Sequence, residues 1–302
     1  MTARCGLLLA AIALATGGPG EGDPGRARPA ARLRVRALVE SGQRDIEGAA
    51  YPAAERDLSE ALALAESSLG PDDLDTARAL NALGMLAKYT ARFEEGRADY
   101  TRALAIARSA TEGDSLLLAD LYHNLGGLEH ARRNFAEGEP YARRGLEIRT
   151  RALGPDHADV AADQAALAAL LDGQGRNDEA EALYLAAIAV FARTPGPPRL
   201  ELATSLNNLA AIRLAQGRLR EAEPLYLRAL ALKEASLGAD HPDVATTLNN
   251  LAVLYRKQGR RAEAASLYAR ALAVFTRTLG PDHPSTRTCR ANYELVSRQP
   301  HP

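Results

Sequence analysis

Apolar and polar positions repeat along this chain with a period of 42 residues. Residues 237–278 contain two amphipathic helical patterns separated by Gln258 and Gly259, and the same pattern resumes at Leu279. Steps of 42 residues towards the N-terminus reach equivalent junctions without insertion or deletion, at Pro195-Gly196, Leu153-Gly154, Thr111-Glu112 and Leu69-Gly70. Self-similarity at a fixed period of this size is typical of stacked repeats. We therefore predict a helical solenoid.

The periodicity also predicts where the domain begins and ends. Five helix pairs are expected at 74–109, 116–151, 158–193, 200–235 and 242–277. A degenerate first pair, at 31–46 and 52–68, and a closing helix at 285–298 are expected to cap the stack, as terminal repeats usually do. The predicted solenoid domain is therefore 31–298. A Gly/Pro-rich linker at 16–30 precedes it, and a short tail at 299–302 follows it.

Within the unit, Leu248, Leu251, Ala252 and Tyr255 share one face of the first helix. Ala and Tyr share one face of the second helix in the same way, at Ala264, Tyr268 and Ala271. Such faces pack with large groups in the grooves and small ones at the crossing points. The 42-residue step reproduces this pattern as Leu206, Leu209, Ala210, Ala222, Tyr226 and Ala229, then as Leu167, Ala168, Ala180, Tyr184 and Ala187, and, closer to the N-terminus, as Leu80, Leu83, Gly84, Gly96, Tyr100 and Ala103.

These residues resemble the tetratricopeptide repeat (TPR) family. The long period and the segment LGADHPDVATTLNNLAVLY at 237–255 resemble its kinesin-light-chain-like subclass, since the ordinary repeat has about 34 residues. The resemblance implies an all-α fold, a right-handed α-solenoid of stacked antiparallel helix pairs with a C-terminal capping helix. Two pairs depart from the pattern, and we expect looser packing there: the third has Tyr122, Glu129, Ala142 and Gly145, and the fifth has Arg213.

The composition argues against a nucleic-acid partner and favours helices over sheets. The net charge is −1, from 37 basic and 38 acidic residues, which removes the basic excess expected of a nucleic-acid-binding protein. Aromatic residues make up 5% and Trp is absent, so Ala and Leu carry the packing, which favours helices over sheets. Arg outnumbers Lys in every repeat, a bias that we attribute to coding preference.

The N-terminus has the layout of a secretory signal peptide. Arg4 precedes an apolar run from Cys5 to Ala15, which is too short to span a bilayer as a mature helix. We predict a signal peptide at 1–15, export to the periplasm or medium, and no membrane insertion of the mature chain. A misplaced start or a disordered leader on a cytoplasmic protein is the alternative. Cleavage removes Cys5 and leaves Cys289, which we interpret as a small buried apolar residue.

The recurring Asp-His pairs suggest metal ligands at first sight: Asp156-His157, Asp240-His241 and Asp282-His283. Equivalent loops of adjacent pairs are expected to lie roughly 16–20 Å apart, which is too far to share an ion. Pro242, Pro284 and Asp243 instead suit the first turn of a helix, with a polar residue capping it just before. We therefore predict helix capping and no metal site.

A row of amide side chains recurs in the middle of the first helices. It comprises Asn81, Asn124, Asn207, Asn208, Asn249 and Asn250, with His123 beside Asn124 and with Asn292 in the closing helix. Asn is a mediocre helix former, so its recurrence requires a reason. In the TPR family first helices line the concave surface, and Asn there commonly binds the backbone of an extended peptide. The alternative is an Asn ladder that links successive helices without a ligand, and both roles can hold at once.

Other positions on the same face bear on the kind of ligand. Some TPR proteins hold a C-terminal carboxylate with a clamp of Lys or Arg side chains. That clamp is absent here, because the matching positions in the amide row hold Asn, His or Ala. The positions four residues later hold Met85, Gly127, Ala169, Ala211 and Val253. One further turn along the first helices, the basic residues are Lys88 and His130 towards the N-terminal end of the solenoid and Arg256 towards its C-terminal end. We expect an internal, extended segment as ligand, with its acidic residues towards the terminal repeats.

The sequence lacks the common motifs of catalysis and cofactor binding, such as a Gly-rich phosphate loop or Gly-x-Ser-x-Gly. We therefore predict a non-enzymatic scaffold, without a cofactor, that binds a protein or peptide partner in its concave groove. A structural or self-associating helical module is one alternative. An accessory or regulatory subunit of an enzyme on another chain is a second.

Overall fold

The structure is a computed structural model that describes residues 24–110, 115–196 and 200–298. Across these ranges it contains thirteen α-helices and no strand, which confirms the predicted all-α solenoid. The helices are α1 (Pro24–Glu47), α2 (Tyr51–Ser68), α3 (Leu74–Tyr89), α4 (Phe93–Ser109), α5 (Ser115–Ala131), α6 (Phe135–Leu153), α7 (Ala158–Gly173), α8 (Asn177–Arg193), α9 (Leu200–Ala215), α10 (Leu219–Leu237), α11 (Pro242–Lys257), α12 (Arg261–Leu279) and α13 (Pro284–Ser297).

The first helix begins earlier than predicted. α1 starts at Pro24, so the second half of the expected linker at 16–30 is helical. This stretch carries no apolar periodicity, and polar contacts hold it instead: Arg28 Nη2 donates to the Leu69 carbonyl at 2.8 Å, and Arg32 Nη2 donates to Asp73 at 2.8 Å. The predicted signal peptide at 1–15 and the tail at 299–302 lie outside the described residues.

Helix packing determines which surface is concave. Each helix packs on the next, and every odd-numbered helix also packs on the following odd-numbered helix, from α1 to α13. Among the described residues, successive even-numbered helices make no such contact. The odd-numbered helices therefore lie on the inside of the curve and the even-numbered helices on the outside.

The predicted packing residues form the core. Tyr100, Tyr184, Tyr226 and Tyr268 are the largest fully buried side chains and succeed one another at 42-residue intervals, with one gap in α6. The helix crossings are made by buried alanines three residues later on the same helices, at Ala103, Ala187, Ala229 and Ala271. The core is therefore a row of repeated tyrosine–alanine layers along the solenoid.

The third pair is not looser than the others, contrary to the prediction; α5 and α6 are the most closely packed pair. Small residues bring the two backbones together, because a Cβ added at Gly145 would lie 3.2 Å from the Ala119 carbonyl oxygen and one at Gly138 would lie 3.1 Å from that of Gly126. In the fifth pair, Arg213 makes an ion pair with Glu181 at 3.2 Å.

The histidines of the connecting loops cap helices, as predicted. His157, His241 and His283 are N-caps whose Nδ1 atoms accept from the backbone N–H two residues later, at 3.2, 3.1 and 3.2 Å. Asp73 caps α3 in the same way, at 2.9 Å. The described residues contain no group of three potential metal ligands. The junction after α8 has Pro195-Gly196 where its neighbours at 153–154 and 237–238 have Leu-Gly, and α8 still packs on α9 like its counterparts.

The last helix ends the apolar core. On α13, Arg287, Arg290 and Glu294 occupy the positions held by Ala245, Leu248 and Ala252 on α11. None of the three α13 side chains is buried, whereas the three on α11 are. α13 is therefore the predicted capping helix.

Cys289, on the inner side of α13, has the role predicted for it. The side chain is 1% exposed and its thiol donates to the Tyr268 carbonyl at 3.6 Å. Burial raises the pKa of Cys289 to about 11, which keeps the thiol protonated and inert.

Candidate peptide-binding groove

The predicted site residues lie on the concave odd-numbered helices. Asn81 and Asn207 are buried, at 8% and 7% exposure, and the remaining amides are half-buried. His123 is half-buried and Arg256 is exposed. The structure groups the amides and His123 into two separate networks, one on each side of α7, and Arg256 belongs to neither.

On the C-terminal side of α7 the amides form one continuous series of hydrogen bonds, which we call the amide chain. From donor to acceptor it runs from Asn292 to Asn249 (3.4 Å), Asn250 (3.5 Å), Asn207 (3.4 Å), Asn208 (3.1 Å) and finally the Tyr184 hydroxyl (3.1 Å). The bonds between helices join residues 43 apart in sequence.

The amide chain has a single direction. Each intermediate amide accepts one hydrogen bond at Oδ1 and donates one from Nδ2, so each bond polarises the next. The ladder considered in the sequence analysis is thus present in the structure. An amide has two N–H donors and two acceptor lone pairs, so this chain uses about half the capacity of each side chain.

On the N-terminal side of α7 the network is different. Asn124 donates to Asn81 at 2.9 Å, which links α5 to α3. His123 instead pairs with Asp163 of α7, at 2.7 Å from Nδ1 to Oδ1. Asp163 is 2% exposed, and its second oxygen accepts from Arg149 Nε at 2.8 Å. The charge of this buried carboxylate is therefore compensated within the fold.

The two networks are separated because α7 lacks the amides. Ala165 and Ala166 occupy the positions that are Asn207 and Asn208 on α9. A cavity of about 540 Å³ opens above them, which we call the α7 bay. His123 and His130 of α5 form one wall, and the other lining residues include Ala162, Ala165, Ala166, Ala169, Tyr184 and Asn208.

Sequence reasoning did not identify the α7 bay. Tyr184 fits the repeated core pattern, so nothing in the sequence marked it as a residue that lines a cavity. The interruption of the Asn row by Ala165 and Ala166 was the available signal. Burial raises the pKa of Tyr184 above its usual range, which keeps the hydroxyl protonated.

Charges near the groove are distributed unevenly. Burial lowers the pKa of Lys88, and in the described part of the chain its ammonium has no carboxylate within ion-pair distance. Burial, followed by repulsion from Lys88, lowers the pKa of neighbouring His130. Further towards the N-terminus, a second cavity of about 350 Å³ is lined by Arg36 and Arg78, which both pair with the fully buried Asp75.

A sequence model of the tetratricopeptide repeat matches most of the chain, at residues 50–109, 117–193, 166–235, 201–276 and 243–298. The chain belongs to the tetratricopeptide repeat family. The five matches together run from α2 to α13. Members of this family are in general non-catalytic interaction scaffolds.

Solved structures include TPR proteins of the kinesin-light-chain type. A kinesin light chain protein of Podosopora anserina with nearly identical TPR-like repeats is 22% identical, with a TM-score of 0.56 over 68% of this chain and 98% of that one. BtubC (BKLC) of P. vanneervenii is 21% identical, with a TM-score of 0.53 over 90% of this chain and 95% of that one. The predicted subclass is thus found among the structural neighbours.

A peptide complex is also among the similar structures. NprR in complex with its cognate peptide NprX has a TM-score of 0.60 at 16% identity, over 88% of this chain and 70% of that one. At these identities the likeness concerns the fold alone. No curated sequence relative matches the chain. None of the helices within the described residues has the length and apolar character needed to cross a membrane.

Proposed function

We propose that this protein is a non-enzymatic scaffold that holds an extended segment of a partner protein in its concave groove. The observation that carries the proposal is the arrangement of amides along that groove. Asn208, Asn249 and Asn250 are half-buried and use one donor and one acceptor each within the amide chain. The unused donors and acceptors suit the N–H and C=O groups of an extended backbone.

The C-terminal half of the groove lacks the features of a carboxylate clamp. A carboxylate clamp needs a cation at the amide row or at the row four residues later, and in the C-terminal half of the groove these positions hold Asn207 and Asn249 and then Ala211 and Val253; Arg256 lies one further turn along α11. We therefore propose that the bound segment is internal. A partner peptide with a free C-terminus and the same peptide amidated are expected to bind with equal affinity, and a large loss on amidation contradicts this point.

A pair of Arg substitutions on opposite surfaces tests the groove. Thr246 is exposed on concave α11 and has the register of Thr204, which lines the α7 bay, whereas Ala231 is exposed on outer helix α10. Partners are first captured from the native organism with the unmodified chain, and the affinity of each purified partner is then measured for both variants. Thr246→Arg is expected to weaken binding about tenfold or more, with Ala231→Arg within twofold.

A purely structural module is the second candidate, because the amide chain by itself accounts for the recurrence of Asn. Equal partner binding by Thr246→Arg and Ala231→Arg favours this candidate, as does the capture of no partner at all. Self-association through the C-terminal end is opposed by the charged outer face of α13, where Arg287 and Glu294 are solvent-accessible.

We also propose that the protein is exported, on the strength of the apolar run at 1–15 preceded by Arg4. N-terminal sequencing of the mature chain from its native organism tests this proposal. A first residue at or near position 16 supports it, and an intact Met1 contradicts it.

A further inference from the structure

The α7 bay interrupts an otherwise regular groove. The helices on its C-terminal side present amides to the concave face, at Asn207 and Asn208 on α9 and at Asn249 and Asn250 on α11. α7 presents the methyl groups of four alanines instead, at Ala162, Ala165, Ala166 and Ala169. None of these four is fully buried, so the apolar floor is open to the groove.

The Tyr184 hydroxyl is the polar group at the end of the amide chain. It accepts from Asn208 Nδ2, and burial keeps it protonated, so its own hydrogen remains to be donated. Within the described residues no acceptor contacts this hydroxyl, and both Tyr184 and its donor Asn208 line the α7 bay. The donor is strengthened by the series of aligned amides behind it. It therefore suits an acceptor supplied from the groove, such as a backbone carbonyl.

Beneath the alanines, the charge of the buried Asp163 is compensated. Asp163 is held between Arg149 and His123, at 2.8 and 2.7 Å. The ionisable side chains that line the bay are those of His123, Tyr184, His130 and Glu201, and the last two are exposed at its edges. A charged side chain on the alanine floor, away from Glu201 at the edge, would lose hydration without gaining a partner. An uncharged, apolar side chain loses nothing and gains the burial of its surface.

Together these features complement one kind of occupant. We infer that the α7 bay binds an apolar, uncharged side chain of the partner segment while the Tyr184 hydroxyl donates to a carbonyl of the same segment. This inference rests on the proposed function and adds to it a position and a residue class. The bound side chain sits at the break in the amide chain, and the amides on either side of it contact the partner backbone.

The smallest probe of this chemistry is N-acetyl-leucine methylamide, which has one apolar side chain and two carbonyls. In protein labelled with carbon-13 at the alanine methyls, it is expected to produce saturable shifts at the four floor residues with a Kd in the millimolar range, as suits its size. N-acetyl-lysine methylamide is expected to bind at least about fivefold more weakly. Shifts that do not saturate, or equal binding of the lysine compound, overturn the inference.

Two substitutions with controls at the same register sharpen the test. Ala169→Leu fills the bay, and its control Ala211→Leu adds the same side chain one repeat away. Tyr184→Phe removes the hydroxyl donor, and its control Tyr226→Phe removes the equivalent hydroxyl on α10. The expected losses of probe affinity are about tenfold for Ala169→Leu and about threefold to tenfold for Tyr184→Phe, with both controls within twofold. Unfolding curves check that each variant is folded, and Ala166→Val replaces Ala169→Leu if that variant is not.

The partner itself separates this inference from the proposed function. If Thr246→Arg abolishes partner binding while Ala169→Leu leaves it unchanged, the groove binds the partner and the inference about the α7 bay is wrong. If neither substitution weakens binding, both proposals are wrong. Loss of binding with both, and not with Ala211→Leu, supports both.

Discussion

Asn208 Nδ2 donates to the Tyr184 hydroxyl at 3.1 Å, and this bond joins the concave face of the solenoid to its buried core. The equivalent amides, Asn250 and Asn292, donate instead to an Asn of the preceding odd-numbered helix. Asn208 has no such partner because the position on α7 is Ala165. One substitution in the repeat thus ends a ladder and opens a cavity at the same place.

The centre of the amide chain is expected to contribute to stability. Asn207 is 7% exposed, accepts from Asn250 and donates to Asn208, so Asn207→Ala leaves two neighbouring amides each without a bond. We predict a loss of about 1–3 kcal/mol in the free energy of unfolding, measured by urea denaturation. Thr204→Ala, at an exposed site on the same helix, serves as the control and is expected to lie within about 0.5 kcal/mol of the unmodified chain. Equal stability of the two variants contradicts the prediction.

Arg149 is expected to stabilise the fold mainly by compensating a buried charge. Arg149→Met leaves the Asp163 carboxylate at 2% exposure with His123 as its remaining partner. We predict a loss of about 3 kcal/mol or more, because an uncompensated buried charge is costly. The double variant with Asp163→Asn is expected to recover much of that loss. Arg151→Met, which removes a side chain 71% exposed, is the matched control and is expected to change stability by less than about 0.5 kcal/mol.

These networks show how far the sequence alone leads. The 42-residue period and the repeated Tyr and Ala predicted the fold, the helix pairs and the capping helix, since packing faces follow directly from helical spacing. The His N-caps were predictable for the same reason, because a cap depends on its near neighbours in sequence. The early start of α1 was not, because Arg28 and Arg32 hold it through contacts about forty residues away.

The sequence predicted which residues lie in the candidate site, but it did not predict which of them are hydrogen-bonded to each other. The Asn row was visible, but the offset of 43 residues between bonded amides depends on the stagger of adjacent helices. The expected looseness of the third pair was wrong for a related reason. Gly138 and Gly145 were counted as missing side chains, whereas in three dimensions they allow the backbones of α5 and α6 to approach each other.

Asp99 and Asp57 share one register on successive outer helices and are expected to respond to pH in opposite directions. Burial, followed by repulsion from Glu95, raises the pKa of Asp99 to about 6, whereas a hydrogen bond with Ser41 lowers that of Asp57. The folded state binds the Asp99 proton more tightly than the unfolded state does, so this residue costs stability progressively from about pH 4 to about pH 6.

Asp99→Asn is therefore predicted to stabilise the protein at pH 7 by about 1–2 kcal/mol, allowing for partial solvent exposure, and to have no effect near pH 3.5. Asp57→Asn is predicted to destabilise it at pH 7, since a depressed pKa contributes stability at higher pH that is lost on acidification. Urea denaturation of both variants at pH 3.5 and pH 7 measures the two effects. The same sign for both variants at pH 7 contradicts the assignment.

Restoring the missing amide is expected to separate stability from binding. Ala165 has the register of Asn207, so the side chain introduced by Ala165→Asn lies where it can accept from Asn208, as Asn207 accepts from Asn250. The ladder then continues onto α7, and Asn208 no longer donates to Tyr184. A polar group also replaces one of the four methyls of the floor.

Because Ala165→Asn exchanges the hydrogen bond from Asn208 to Tyr184 for one from Asn208 to the new amide, we predict a free energy of unfolding within about 1 kcal/mol of that of the unmodified chain. The affinity for N-acetyl-leucine methylamide is predicted to fall at least about fivefold, since the new amide narrows the α7 bay and desolvates poorly beside an apolar side chain. Ala211→Asn adds an amide at a half-buried position of α9 outside the bay, and it is expected to leave the affinity for the probe within twofold of that of the unmodified chain. Unchanged affinity in the Ala165→Asn variant would show that the interruption of the Asn row at α7 has no part in binding.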